Sequence, residues 1–154
     1  MQSKFIKIIL IVIVIVQLGF IVSRIHKNPS EVKSVDSSLT PAQYAVLKEG
    51  ATERPFTSDL LYEKRKGTYV TADCNEPVFR SEQKFETGTG WPSFWAPIAS
   101  SSVEERADGD RTEIISAKCK SHLGHVFNDA PQTPTGLRYC INGLALKFIP
   151  DTIQ

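Results

Sequence analysis

The sequence predicts a mainly β domain of two antiparallel sheets, or one partly open barrel. A short helix opens that domain, and one hydrophobic helix precedes it. Three observations carry this reading. From Pro55 onward the segments are short, rich in β-branched and aromatic residues, and separated by turn residues. No long stretch has apolar residues at the helical period, and no internal repeat occurs. The one strongly apolar run, residues 8–22, lies at the N-terminus and is broken only by Gln17.

That run is preceded by Lys4 and Lys7 and followed by Arg24, His26 and Lys27. It is long for a signal-peptide core and shorter than the ~20 residues a spanning helix prefers. Counted from Phe5 to Ile25, with Lys7 and Arg24 snorkelling outward, it is long enough to cross a bilayer. No Ala-x-Ala cleavage pattern follows. Residues 1–27 therefore read as a signal-anchor or transmembrane segment, with a cleaved signal as the alternative. Either reading exports the domain to a periplasmic, extracytoplasmic or lumenal space, and cleavage would make it secreted. Residues 28–38 (NPSEVKSVDSS) are polar, aperiodic and free of aromatics, and read as a flexible linker. Residues 39–154 remain as a single domain.

Within that domain, Thr40-Pro-Ala-Gln43 has the form of a capping box with proline at the first helical position. Tyr44, Val46 and Leu47 follow, and Gly50 closes a short helix. Strands are predicted at Gly67-Thr-Tyr-Val-Thr71, Pro77-Val-Phe79, Ser102-Val103, Arg111-Thr-Glu-Ile-Ile115 and His125-Val-Phe127, then along one extended stretch over 137–149. Asp108-Gly-Asp110 before Arg111 is a hairpin signal. Beyond Lys27 the chain has fourteen basic and seventeen acidic residues and no basic run, which argues against a nucleic-acid partner.

The cysteines are Cys74, Cys119 and Cys140. In an oxidising compartment an odd number is most simply divided into one disulfide and one free thiol. Cys140 sits in Gly136-Leu-Arg-Tyr-Cys-Ile-Asn-Gly143. Side chains two apart on a strand share a face, so Arg138, Cys140 and Asn142 are predicted to project together. A cation beside a thiol favours the thiolate, which is the nucleophile. A lone cysteine would more often be a small core hydrophobe, but a core strand rarely turns three polar groups inward.

His122-Leu-Gly-His125-Val-Phe-Asn-Asp129 contains two of the three histidines. With Gly124 as a turn and a strand starting at His125, the residues His125, Phe127 and Asp129 would share a face. A histidine beside a carboxylate is a proton donor suited to neutral pH. Two alternatives stand: a metal held by His122, His125 and Cys119, and a purely structural pair. Gly88-Thr-Gly-Trp-Pro-Ser-Phe-Trp95 holds both tryptophans. Trp95 is expected in the core. Trp91, between Gly90 and Pro92, is expected to wall a pocket fit for an apolar or sulfur-bearing side chain.

Together these segments, with Leu39-Thr-Pro, Thr52-Glu-Arg-Pro-Phe56 and Arg111-Thr-Glu113, closely resemble the motif series of the B-type peptide methionine-R-sulfoxide reductases. The resemblance covers residues 39–148, in family order and spacing. It implies a β-tent-like fold and repair of oxidised protein or peptide methionine. Cys140 matches the nucleophile, which becomes a sulfenic acid, and His125 matches the acid that protonates the departing oxygen. His122, Asp129 and Asn142 match residues at the sulfoxide's polar head. Trp91 matches the indole that cradles the methyl group, beside Phe127. Arg138 matches the arginine expected to lower the thiol pKa. The rival readings are a ligand-binding module on the same scaffold and a thiol–disulfide oxidoreductase. The first has no use for this residue set, and the second lacks a Cys-x-x-Cys pair.

Three departures from the family pattern matter. Many relatives bind a structural zinc with two Cys-x-x-Cys pairs. Here these spacings read Thr71-Ala-Asp-Cys74 and Ser116-Ala-Lys-Cys119, which implies that the zinc is lost and no cofactor is held. A structural Cys74–Cys119 disulfide could then replace the metal. The third departure is Thr89, where many relatives have a resolving cysteine. Without it, either Cys74 or Cys119 resolves the sulfenic acid or, the favoured reading, an external reductant, a thioredoxin-like protein or a small thiol, regenerates Cys140 directly.

Overall fold

The computed structural model describes residues 38–152; the expected signal-anchor and nearly all of the linker lie outside them. Among the described residues no helix is long and apolar enough to cross a membrane. The helix α1 (Pro41–Glu49) forms as its ends dictate. Thr40 accepts from the Gln43 N–H, Gln43 reaches back to the Thr40 N–H, and Gly50 closes the helix at φ 72°.

The strands β1 (Gly67–Thr71) and β2 (Pro77–Arg80) form a three-stranded sheet with β9 (Leu146–Pro150), in the order β2-β1-β9. The others are β3 (Lys84–Phe85), β4 (Ser93–Phe94), β5 (Val103–Asp108), β6 (Arg111–Ser116), β7 (His122–Ala130) and β8 (Gly136–Ile141). They make a six-stranded antiparallel sheet in the order β3-β4-β8-β7-β6-β5, and neither sheet closes into a barrel. Asp108 pairs with Arg111 across a two-residue hairpin whose Gly109 has φ 61°, as Asp108-Gly-Asp110 predicts.

Aromatic side chains join the two sheets. Phe79 of β2 stacks on Phe94 of β4 at 4.4 Å between ring centroids, and Tyr69 of β1 meets Phe94 edge-on at 4.9 Å. Leu47, Val78, Ile114, Leu123 and Ile141 complete this core. Trp95 does not join it. The ring is partly exposed and its Nε1–H donates to the Glu82 carbonyl, so the constraint on Trp95 is a polar one at the rim.

Three predicted strands differ clearly from the observed ones, and the first, expected at Ser102-Val103, runs on as β5 to Asp108. Strand β7 begins at His122, three residues earlier than expected, because Gly124 makes a close approach and no turn. A Cβ there would lie 2.1 Å from the Cys140 carbonyl oxygen. The stretch 137–149 is two strands in different sheets, separated by a 3₁₀ turn at Gly143–Ala145. Asn142 thus lies at the corner beyond β8.

Cys74 follows β1 and Cys119 follows β6, and the two are disulfide-bonded with Cα atoms 6.3 Å apart. The Thr71 hydroxyl lies 3.3 Å from one sulfur and 3.6 Å from the other. The bridge ties the two sheets over a sequence separation of 45 residues. Cross-links closing loops of that size stabilise by roughly 2–4 kcal/mol through the unfolded chain. Urea unfolding of Cys74→Ser/Cys119→Ser without reductant should show a loss of that order, and dithiothreitol should lower the wild type but not the double variant.

Candidate active site

Strand pairing builds one row of side chains across five strands. Ser93 on β4 pairs with Cys140 on β8, Cys140 with His125 on β7, His125 with Glu113 on β6, and Glu113 with Arg106 on β5. Directly paired residues share a face, so this row stands on the side opposite Phe94, Tyr139 and Ile141. An extra residue in β7 then brings His122 onto the same face. Ile114 pairs with Gly124 but Ile115 with His122, so Leu123 is bulged into the core. The odd spacing of the two histidines is thereby cancelled, and their ring centroids are 5.5 Å apart.

A cavity of about 120 Å³ opens on this face, lined by Cys140, His125, Trp91, Phe127, Asn142 and Arg111 together with Thr52 and Gly124. His122, Asp129 and Arg138 stand behind the lining and hold it. Arg138 forms a two-point pair with Asp129, at 2.8 and 2.6 Å, and its guanidinium lies 4.4 Å over the Phe127 ring. Asp129 therefore serves Arg138 and not His125. A second bulge between Phe127 and Ala130 breaks the alternation that would have put Asp129 on His125's face.

The carboxylate at His125 is Asp108, from the β5–β6 hairpin, 2.8 Å from Nε2. Arg111 donates to the same Asp108 oxygen at 2.6 Å. The His125 bond, then Arg111, hold the Asp108 carboxyl below its usual range, so it is ionised and only accepts. Nε2 of His125 must then carry a hydrogen. His122 is held likewise, with Nδ1 2.7 Å from Glu113.

Asn142 is fixed by three contacts. Its Oδ1 accepts from the Glu53 N–H at 3.0 Å, one Nδ2 hydrogen goes to the Leu123 carbonyl at 3.0 Å, and the other meets His122 Nε2 at 3.5 Å. The last is the weakest and the easiest to displace. Glu53, quoted above only as part of a motif, organises this corner. Its buried carboxylate accepts from the Gly143 and Leu144 N–H groups at 2.6 and 2.9 Å, and its carbonyl accepts from Trp91 Nε1 at 3.2 Å. Burial raises its pKa, against the pull of those two N–H bonds.

Cys140 is the free cysteine among the described residues. Burial, the largest influence, raises its pKa, while Thr89, Arg138 and Ser93 pull it down without prevailing. Arg138 acts on the thiol in the expected direction, and desolvation outweighs it.

The SelR domain pattern matches residues 39–150, nearly the whole described span. The chain belongs to the SelR-domain family. It is 54% identical over 116 residues to a peptide methionine sulfoxide reductase MsrB of Bradyrhizobium diazoefficiens, covering 73% of this chain and 83% of that protein. It is 48% identical over 133 residues to one from Methanosarcina mazei, covering 84% and 92%. A third, from Leptospira interrogans, is 51% identical over 114 residues, covering 71% and 86%.

The zinc that the resemblance implies for many relatives does not fit the donors here. Asp73, Cys74 and Cys119 lie close enough together to face one ion. The two sulfurs, however, are joined to each other, and Thr71 and Ser116 offer neutral hydroxyls in place of thiolates. Ser116 instead donates to Glu76, at 2.5 Å.

Glu53 offers the clearest test of how this site is held. In Glu53→Gln one amide N–H₂ would face a buried backbone N–H, a mismatch worth about 1–3 kcal/mol. Chemical denaturation should show that loss, and Trp91 fluorescence in the native state should shift as its Glu53 anchor loosens.

Proposed function

We propose that this protein reduces methionine-R-sulfoxide in oxidised proteins back to methionine. The observation that carries the reading is the direct pairing of Cys140 with His125 in a cavity walled by Trp91 and Phe127. That pairing sets a thiol and an imidazole beside a space sized for one thioether group, which supports roles for them as nucleophile and proton donor. The MsrB names of the relatives support the same substrate.

The Cys140 thiolate attacks the sulfoxide sulfur while the oxygen takes a proton, with His125 as donor. The sulfur–oxygen bond breaks and hydroxide departs; hydroxide then adds to the Cys140 sulfur as the bond between the two sulfurs breaks, so methionine leaves with two more electrons and Cys140 becomes a sulfenic acid. Asn142 offers the sulfoxide oxygen the Nδ2 hydrogen that His122 holds only weakly. Asp108 orients His125, and Arg138, fixed by Asp129 and Phe127, favours the anionic sulfur. Two external thiols then reduce the sulfenic acid, giving water and their own disulfide; with Thr89 in the loop we assign that role to a thioredoxin-like dithiol or a small thiol. The domain works without zinc, on the exported side of a membrane, anchored by residues 1–27 or released by their cleavage.

Residues 28–154 should turn over the R-sulfoxide of N-blocked methionine with dithiothreitol or thioredoxin as reductant. Activity on the S-sulfoxide alone, or full activity in Cys140→Ser, would overturn the reading. His125→Gln should cost about 10²–10⁴-fold in kcat, the usual worth of a general acid. Asp108→Asn should cost less, because only the orientation of His125 is lost.

Alkylation gives a pH test that needs no turnover. Since burial lifts Cys140 above its ordinary value of 9.0, its rate with iodoacetamide should still be climbing above pH 9.0. Arg138→Met removes a group that favours the thiolate, so it should move this profile further up.

A further inference from the structure

Three hydroxyls form an unbroken chain beside Cys140. Thr89 Oγ1 is 3.9 Å from the Cys140 sulfur and 2.8 Å from Thr87 Oγ1. Thr87 Oγ1 is 3.1 Å from Ser93 Oγ, and Ser93 Oγ is 3.2 Å from the Trp91 carbonyl oxygen. Each hydroxyl has one hydrogen to give and room to accept another. Only the last link has a fixed direction, because a carbonyl cannot donate.

Counting hydrogens gives two complete arrangements on the same heavy atoms. With the thiol protonated, S–H donates to Thr89, Thr89 to Thr87, Thr87 to Ser93 and Ser93 to the Trp91 carbonyl. With the sulfur ionised, the order runs the other way: Ser93 donates to Thr87, Thr87 to Thr89 and Thr89 to the thiolate. Three hydroxyl rotations convert one into the other. The reversal gives up the Ser93–Trp91 bond and gains a charge-assisted bond to sulfur, which is the stronger of the two and should shorten the 3.9 Å contact.

We propose that Thr87, Thr89 and Ser93 act as a reversible hydrogen-bond chain that follows the charge on Cys140, with Thr87 a positioning residue that touches neither the sulfur nor the substrate. Beyond the shortening of that one contact only hydrogens must move, so a half-buried sulfur gains a donor when it ionises without solvent entering. The idea deepens the reading of Cys140 as a nucleophile and rests on it for its meaning in turnover. Its physical claim concerns the thiol alone.

The test is the pH profile of Cys140 alkylation by iodoacetamide, read by intact mass on the full chain, which does not depend on sulfoxide reduction. Thr87→Val interrupts the chain at its middle and keeps the shape of the side chain. It should move the profile up and slow alkylation at pH 8 roughly three- to tenfold, the range expected for loss of about one hydrogen bond. Thr87→Ser, which restores the hydroxyl, should return the wild-type profile, and Thr89→Val should slow alkylation at least as much as Thr87→Val. An unchanged profile in Thr87→Val would overturn the proposal, as would slowing that Thr87→Ser fails to restore. Melting curves identify any variant that fails to fold, and the remaining two substitutions then decide.

Discussion

The buried carboxylate of Glu53 is the constraint on which the site depends. Two consecutive N–H groups, of Gly143 and Leu144, point inward where the chain leaves the six-stranded sheet for the three-stranded one. No strand neighbour can take them, because the chain is changing sheets at that point. A buried donor without an acceptor costs as much as the hydrogen bond it lacks. Glu53 supplies both acceptors, and its backbone serves Asn142 and Trp91 from the same position. One residue thus fixes the corner, the amide beside the pocket and the aromatic wall across it. The cost is a buried acid whose ionisation burial opposes.

The second constraint is register. Gly124 lets β7 press against β8 so closely that no side chain would fit, and that contact sets His125 opposite Cys140. Bulges on either side of this point adjust what the strict alternation of a strand would otherwise do. The one at Leu123 brings His122 onto the face of His125, and the one beyond Phe127 sends Asp129 to Arg138. A strand without them would place every second residue on the site and no others. The nine residues of β7 therefore supply two histidines and an aromatic ring to one face and a carboxylate to its edge.

These details explain what the sequence could and could not reveal. The helix α1 was legible because its caps are local: Thr40, Pro41, Gln43 and Gly50 act within one turn. The pocket lining was legible because Trp91, His125, Phe127, Cys140 and Asn142 lie in motifs with chemistry of their own. The partner of His125 was not legible. Spacing alone favoured Asp129, and only the bulge and the hairpin together bring Asp108 there. Glu53 was hidden for a different reason: its role lies in backbone groups some ninety residues away, which no local pattern records. Asn142 was placed on the right cavity for an incomplete reason, since the strand expected to carry it ends at Ile141.

The balance at Cys140 follows from the same placement. A row in the middle of a sheet is well shielded, and shielding favours the neutral thiol; Arg138, Thr89 and Ser93 oppose this without reversing it. A resting thiol that stays protonated is slow to react with stray oxidants, because the thiolate is the reactive form. For a protein with a hydroxyl and no second thiol at position 89, that restraint is useful. Overoxidation of an unprotected thiolate could not be intercepted from that position. Donors that engage only when the sulfur carries charge would preserve the restraint at rest and relax it during reaction, which a permanently close cation could not do.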